Sequence, residues 1–124
     1  MMKLYDASER FPGFEYPAGL EKVADLGLTD LDAWFILDAP FAESYCESMG
    51  KRYPARALVP FAKRCDCDDV ACFEVDKPQR VQVIHDFAEP GWEQRDEFPD
   101  FWSWFSSAVD LLVERAREEE ADGL

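Results

Sequence analysis

Residues 57–87, ALVPFAKRCDCDDVACFEVDKPQRVQVIHDF, contain three short apolar runs, and the fold class follows from them. They occupy residues 57–62, 69–75 and 80–87 and are rich in valine, phenylalanine and other residues that favour strands. CDCD separates the first pair and DKPQ the second, and both linkers have the length and the aspartate content of hairpin turns. The stretch therefore predicts three consecutive antiparallel strands, a meander.

Helices are predicted on both sides of this meander. Before it, Asp38 is suited to cap a helix, Pro40 suits its first turn, and Gly50 marks its end. The apolar face of that helix would hold Phe41, Tyr45 and Met49. After the meander, a second helix would hold on one face Phe101, Phe105, Ala108 and Leu112. The 124 residues suffice for one domain, so we expect a single α+β domain in which N-terminal and C-terminal helices pack on an antiparallel meander sheet.

The remaining segments carry weaker patterns. Residues 1–18 mix prolines and aromatics, which predicts an irregular arm that folds onto the domain, and residues 20–26 predict a short helical turn. Residues 29–35 fit either a capped helix or a buried strand. Residues 89–100 are polar and predict a loop, and residues 115–124 predict a frayed acidic tail.

Charge is the strongest global property of the sequence. It holds 27 acidic and 13 basic residues, for a formal net charge of −14. Such a surface repels phosphate groups and anionic lipid, so we expect no nucleic-acid partner and no membrane partner. It attracts a basic protein partner at long range, although solubility alone would also explain the acidity.

The sequence also indicates a compartment. No apolar run approaches the ~20 residues that a membrane span needs, and residues 1–14 lack the apolar region of a secretory signal. We therefore expect a cytoplasmic protein, in which the four cysteines stay reduced.

The cysteines in and near the linker raise the alternative of a metal site. Cys65, Cys67 and Cys72 could bind zinc if Cys46 or His85 supplied a further ligand. The spacing does not require this, because a turn residue and a strand residue need not point to the same face. We favour a hairpin in which Cys72 is a small buried residue, and we expect no bound metal and no cofactor.

The aspartates in and directly after the same linker suggest two more alternatives. Asp66, Asp68 and Asp69 resemble the start of a calcium loop, but the glycine and the terminal glutamate of an EF-hand are absent. A redox role would need a lowered cysteine pKa, which neighbouring aspartates oppose in spite of Arg64. Aspartates that bond the backbone of a turn account for the composition.

Catalytic patterns are missing from the sequence. His85 is the single histidine, no serine near it forms a nucleophile elbow, and no glycine-rich phosphate loop occurs. We therefore expect no catalytic residues and no enzymatic activity.

Four segments, VPFAKRCDCDDVACFEV, VQVIHDF, PGWE and FPDFWSWF, resemble the central block of the SUKH superfamily. That family includes fungal regulators of cell-wall synthesis and bacterial immunity proteins of polymorphic toxin systems. The resemblance covers about half of the chain. The L-P-x-x-Y helix and Asn-Gly turn of many relatives do not occur in residues 1–50. The resemblance implies an α+β fold, no catalysis, and binding of a protein that for bacterial members is often a toxin.

The candidate partner-binding residues are acids and tryptophans in two segments. They are Asp66, Asp68 and Asp69 at the predicted hairpin tip, Glu89, Trp92, Glu93, Asp96 and Glu97 in the predicted loop, and Trp102 on the last helix. For Trp92 we favour the alternative that its ring covers the edge of the sheet. Trp102 lies off the apolar helix face and is the better candidate for an exposed anchor.

These observations together predict a non-catalytic acidic binding module, specifically an immunity protein that neutralises a basic toxin such as a nuclease. One alternative is a regulatory or scaffold protein of the cell-wall-regulator type. The other is a small metal-binding protein that uses Cys65, Cys67 and Cys72.

Overall fold

The three predicted runs form the centre of a six-stranded antiparallel sheet in the computed structural model, which describes residues 2–123. Strand order follows the chain: β1 (Asp30–Leu31), β2 (Trp34–Ile36), β3 (Leu58–Arg64), β4 (Asp69–Glu74), β5 (Lys77–His85) and β6 (Gln94–Phe98). The helices are α1 (Ala18–Asp25), α2 (Ala39–Arg52) and α3 (Phe101–Ala121), with a 3-10 turn at Ala7–Glu9. The predicted α+β meander with helices from both ends of the chain is confirmed.

The central strands are buried on both faces, since successive side chains alternate between them. Ala71 and Phe73 face the arm and α3, while Val70 and Cys72 face α2. Pro60 lies inside β3 although proline cannot donate to a strand ladder. The register of β3 against β4 shifts between Pro60 and Ala62, so a bulge accommodates the proline.

Aromatic stacking holds the first face together. The rings of Phe61 and Phe73 stack with centroids 4.4 Å apart, and Trp104 of α3 packs edge-on against Phe61 at 4.9 Å. The arm adds Phe14 and Tyr16, whose rings lie 6.3 and 6.0 Å from that of Phe73. On α3 the buried residues are Phe101, Trp104 and Ala108, so Trp104 rather than the predicted Phe105 is central to the core.

The second face is covered by α2, which begins as predicted. Asp38 accepts a hydrogen bond from the Phe41 backbone N–H at 3.3 Å and so caps the helix. Two details of the prediction are wrong. The helix continues past Gly50 to Arg52, and its buried residues are Ala42, Cys46 and Met49, while Phe41 is exposed. The helix lies close to the sheet, and the Cys46 thiol reaches the Leu58 carbonyl at 3.6 Å.

Residues 30–36 form the hairpin of β1 and β2, so the strand alternative is correct and the helix alternative is wrong. Asp32 has a φ of 70°, which no helix accommodates, and its backbone N–H donates to the Asp30 carboxylate at 3.0 Å. The aspartates here therefore build a turn rather than a helix cap.

Two further predictions need correction. The segment 89–100 contains the edge strand β6, which its polar sequence concealed. Residues 115–121 belong to α3 instead of a frayed tail. They are mostly glutamate, arginine and alanine, which favour helices, and Arg115 holds Asp32 at 3.2 Å. Leu124 lies outside the described residues.

The helices are too short or too polar to span a bilayer. Over residues 2–123, none combines the length and the apolar character needed to cross a membrane.

Candidate protein-binding site

Two connections meet at one end of the sheet. The acidic tip (residues 65–68) joins β3 to β4, and the aromatic loop (residues 86–93) joins β5 to β6. Asp69 pairs in register with His85, and the Asp86 backbone N–H donates to the Asp68 carbonyl at 3.0 Å. The sheet therefore brings together the two segments that the sequence analysis identified separately.

The acidic tip is exposed but internally braced. Arg64 holds both oxygens of the Asp66 carboxylate, at 2.8 and 2.7 Å, and this contact lowers the pKa of Asp66. The ammonium group of Lys63 donates to the Cys67 carbonyl. Asp68, Cys65 and Cys67 are exposed. Asp68 is thus available to a partner on a turn that is already ordered, while Asp66 is exposed but already paired with Arg64.

Asp69 is buried and serves the fold of the tip instead. Its Oδ1 lies 2.9 Å from Nε of Arg95 and 3.2 Å from Nδ1 of His85. The Asp69 carboxylate therefore links β4 to β5 and β6. It is buried, whereas the sequence suggested an exposed residue that binds a partner.

Residues at the end of α2 fix the aromatic loop. Arg52 donates two hydrogen bonds to the Asp86 carboxylate, at 2.8 and 2.6 Å, and Asp86 is 1% exposed. The Tyr53 hydroxyl donates to the Ala88 carbonyl at 2.7 Å, and burial raises the pKa of this phenol. A paired buried charge and a buried phenol hold the first half of the loop in one conformation.

The loop presents two large apolar side chains to solvent. Phe87 is 67% exposed and Trp92 is 80% exposed, so the prediction that Trp92 covers the sheet edge is wrong. Phe87 has a φ of 69°, a backbone conformation that is a genuine outlier for a bulky residue. The Arg52 guanidinium lies 4.3 Å from the centre of the Phe87 ring. Strain of this kind clusters at functional segments of proteins.

Glu93 closes the loop and is buried. Its carboxylate accepts from the Gly91 N–H at 2.6 Å and from Arg56 at 2.9 Å. Burial opposes ionisation, but the hydrogen bonds from Arg56 and the backbone outweigh it and lower the pKa of Glu93. Arg56 also holds both oxygens of Glu74, so it connects the loop to the far end of β4. Glu93 is a structural residue, while Glu89 of the same loop is exposed.

The acids of β6 lie beside the aromatic loop rather than on it. Asp96 and Glu97 are exposed. Glu97 accepts from Gln82 at 2.7 Å and pairs with Arg80 at 3.1 Å, and these two contacts lower its pKa. Asp96 and Glu97 extend the acidic surface along the edge of the sheet.

Trp102 lies away from this site. β6 runs from Gln94, opposite Ile84, to Phe98, opposite Val81, so α3 begins at the far end of the sheet. The Trp102 ring is 52% exposed and packs on Phe101 and Phe105 at 5.4 and 5.8 Å. The structure therefore does not bring Trp102 together with the other candidates.

The cysteines do not converge. Cys72 is buried beneath α2, where burial raises the pKa of its thiol, while Cys65 and Cys67 are exposed at the acidic tip. In the part of the chain that the structure describes, no three histidine, cysteine or acidic side chains are arranged to hold a metal ion.

Several residues of the site were missed by the sequence analysis. Arg52, Asp86 and Arg56 fix the aromatic loop, and Phe87 is one of its two exposed rings. Pro90-Gly91, three residues after Phe87, is a signal for a turn, but it does not mark the Phe87 ring as exposed. The arginines gave no such signal, since Arg52 lies 34 positions from its partner.

Comparison with protein-family models, with curated proteins and with solved structures finds no match to the chain.

Proposed function

We propose that this chain is a non-catalytic binding module that docks a basic protein on the aromatic loop and the acidic tip. The observation that carries the proposal is the aromatic loop, in which buried ion pairs hold Phe87 and Trp92 exposed. Aromatic side chains fixed in this way dominate binding energy at protein interfaces, because they lose little conformational entropy on association.

Charge supports a basic partner. Asp66 and Asp68 of the acidic tip and Glu89 of the aromatic loop are exposed, and the chain as a whole carries a net charge of −14. A partner rich in lysine and arginine would be steered to this surface, and its cations could stack on the two rings. The resemblance to the SUKH superfamily makes a basic toxin, such as a nuclease, the partner that we propose, in the cytoplasm of the producing cell.

The test is binding of this protein to a basic toxin encoded by the neighbouring gene. We expect Trp92→Ala to weaken affinity at least about 30-fold, as truncation of a central aromatic anchor does, without a change in the unfolding midpoint. Trp102→Ala is the matched control, because Trp102 is an exposed tryptophan at the opposite end of the sheet. Raising salt from about 50 to 200 mM should slow association with little effect on dissociation.

Two results would reject the proposal. One is equal affinity of Trp92→Ala and the wild type. The other is a loss caused by Trp102→Ala alone. A neighbouring gene that encodes a cell-wall enzyme in place of a toxin would instead favour the regulatory or scaffold role.

A further inference from the structure

A groove lies between the N-terminal arm and the start of α1, and none of its lining residues belongs to the aromatic loop or the acidic tip. This arm groove has a volume of about 760 Å³, which is within the range of ligand sites in proteins. More than half of its lining residues are exposed, so it is open to solvent and suits an extended segment of chain. The lining includes three aromatic residues, Tyr5, Phe14 and Tyr16, and three acids, Asp6, Glu15 and Glu21.

The charges that line the arm groove all have one sign. The three acids are exposed, and the described residues that form the lining include no lysine, arginine or histidine. The cations of the same two segments, Lys3, Arg10 and Lys22, are not among the lining residues. Because each exposed ion pair contributes little, a ligand that binds here must bring several cations together.

The walls of the arm groove are ordered in the free protein. The Tyr16 hydroxyl donates to the Tyr5 carbonyl at 2.8 Å, and the Phe14 ring packs edge-on against the Tyr16 ring with centroids 5.3 Å apart. The N–H and the hydroxyl of Ser8 donate to the Asp6 carboxylate at 3.1 and 2.5 Å, which lowers the pKa of Asp6 and keeps it ionised. A lysine brings both an aliphatic stem for an apolar wall and an ammonium group for a carboxylate.

We propose that the arm groove is a second docking surface, which binds an extended lysine-rich segment of a partner protein. Charge complementarity selects this occupant, since the lining carries three acids and no cation. The proposal stands whether or not the aromatic loop binds a toxin, because the two surfaces share no residue.

The test is a titration of the whole chain with acetyl-tetralysine amide, followed by backbone amide signals in ¹H–¹⁵N spectra. The amides of Asp6, Glu15 and Glu21 should shift saturably, and their concentration dependence measures affinity at the groove separately from any binding at the acidic tip. Acetyl-tetraglutamine amide, which is neutral and of the same length, should cause no saturable shift. Spermine, which carries a similar charge, tests the alternative that the groove holds a free polyamine.

Matched variants separate the groove from the net charge. Glu15→Gln with Glu21→Gln removes two acids of the groove, while Glu9→Gln with Asp25→Asn removes two exposed acids of the arm and α1 outside the lining. Both variants change the net charge from −14 to −12, so their long-range attraction for a cation is equal. The groove variant should bind tetralysine roughly fivefold more weakly than the control variant, the combined effect of two exposed ion pairs.

Four results would overturn the proposal. They are the absence of a saturable shift at the groove in the wild type, equal affinity in the two variants, binding of spermine at least as tight as tetralysine, and loss of the groove response in Trp92→Ala. The first and third are measured on the wild type and do not depend on the folding of a variant. Trp92→Ala distinguishes this proposal from the proposed function, because it should weaken toxin binding and leave the groove response unchanged.

Discussion

Phe87 is the residue whose conformation departs most from its own preference. Its φ of 69° is one that glycine adopts freely and that costs other residues ~1–2 kcal/mol. We therefore predict that Phe87→Gly is more stable than Phe87→Ala by about 1 kcal/mol, measured by urea denaturation. Both variants lack the ring, so the comparison isolates the backbone.

The neighbouring position provides the control for this prediction. Ala88 has no positive φ, so Ala88→Gly should destabilise the protein by ~0.5–1 kcal/mol, with the opposite sign. Greater stability of alanine than glycine at position 87 would show that the loop does not hold the backbone in the left-handed region.

Glu93 makes stability depend on pH. Burial acts to raise its pKa, but the hydrogen bonds from Arg56 and the backbone leave the folded-state pKa lowered. Its contribution is therefore present above the unfolded-state pKa of about 4.3 and is lost as pH falls through the lowered folded-state value. We predict that Glu93→Gln costs ~1–3 kcal/mol at neutral pH and progressively less on acidification below about pH 4.

The measurement is urea denaturation of the wild type and Glu93→Gln between about pH 3 and 7, the range that spans this titration. Glu89→Gln on the exposed part of the same loop is the control and should change stability little at any pH. A difference between Glu93→Gln and wild type that stays constant over this range would mean that the carboxylate contributes no ionised hydrogen bond.

At the scale of elements, β6 is an edge strand protected against pairing with other chains. Its residues Arg95, Asp96 and Glu97 are charged and exposed. Side chains also occupy its backbone groups: Gln94 donates to the Asp96 carbonyl at 2.6 Å, and the Glu97 N–H donates to the Asp96 carboxylate at 2.8 Å. Charges and occupied backbone groups are both means by which proteins prevent edge-to-edge aggregation.

We predict that Asp96→Val together with Glu97→Val causes concentration-dependent aggregation, because the pair removes two charges and one backbone contact from the edge. Light scattering over time measures this. The control replaces Glu118 and Glu119 of α3 with valine, which removes the same charge at a position without a strand edge. If both variants aggregated equally, the cause would be the loss of charge and not the exposed strand edge.

The elements differ in how far the sequence predicts them. The helix α2 and the strands β3, β4 and β5 could be predicted because a capping aspartate, a proline in the first turn and apolar runs are local signals. The strand β6 could not, since the sequence QRDEF carries no apolar alternation and becomes a strand only through its partner β5. The hairpin of β1 and β2 depends likewise on pairing with β3.

The candidate site also combines features that the sequence predicts locally with features that depend on distant residues. Trp92 and the exposed acids could be found from composition, but their arrangement depends on pairs distant in sequence, such as Arg56 with Glu93, 37 positions apart. Burial of Asp69 and Glu93 also depends on such pairs, which is why the sequence analysis grouped them with exposed acids.

For the whole molecule, the net charge of −14 acts against the compact state. Salt screens this repulsion more than it weakens the buried pairs, because those pairs are shielded from solvent. We predict that the free energy of unfolding rises as ionic strength increases from about 0.01 to 0.15 M, measured by thermal or urea denaturation.

A variant with glutamine at positions 118, 119 and 120 tests the cause. It removes three of the negative charges, changing the net charge from −14 to −11, and should show a smaller rise with salt. A decrease in stability with salt would instead indicate that exposed ion pairs dominate over net repulsion.

Because strand order in the sheet follows the chain, each new strand can pair with the one made just before it during synthesis on the ribosome. The helix that brings Trp104 onto Phe61, however, comes from the last part of the chain. The nascent sheet must therefore leave an aromatic surface open until α3 has been synthesised, and during that interval a chaperone would have most to shield.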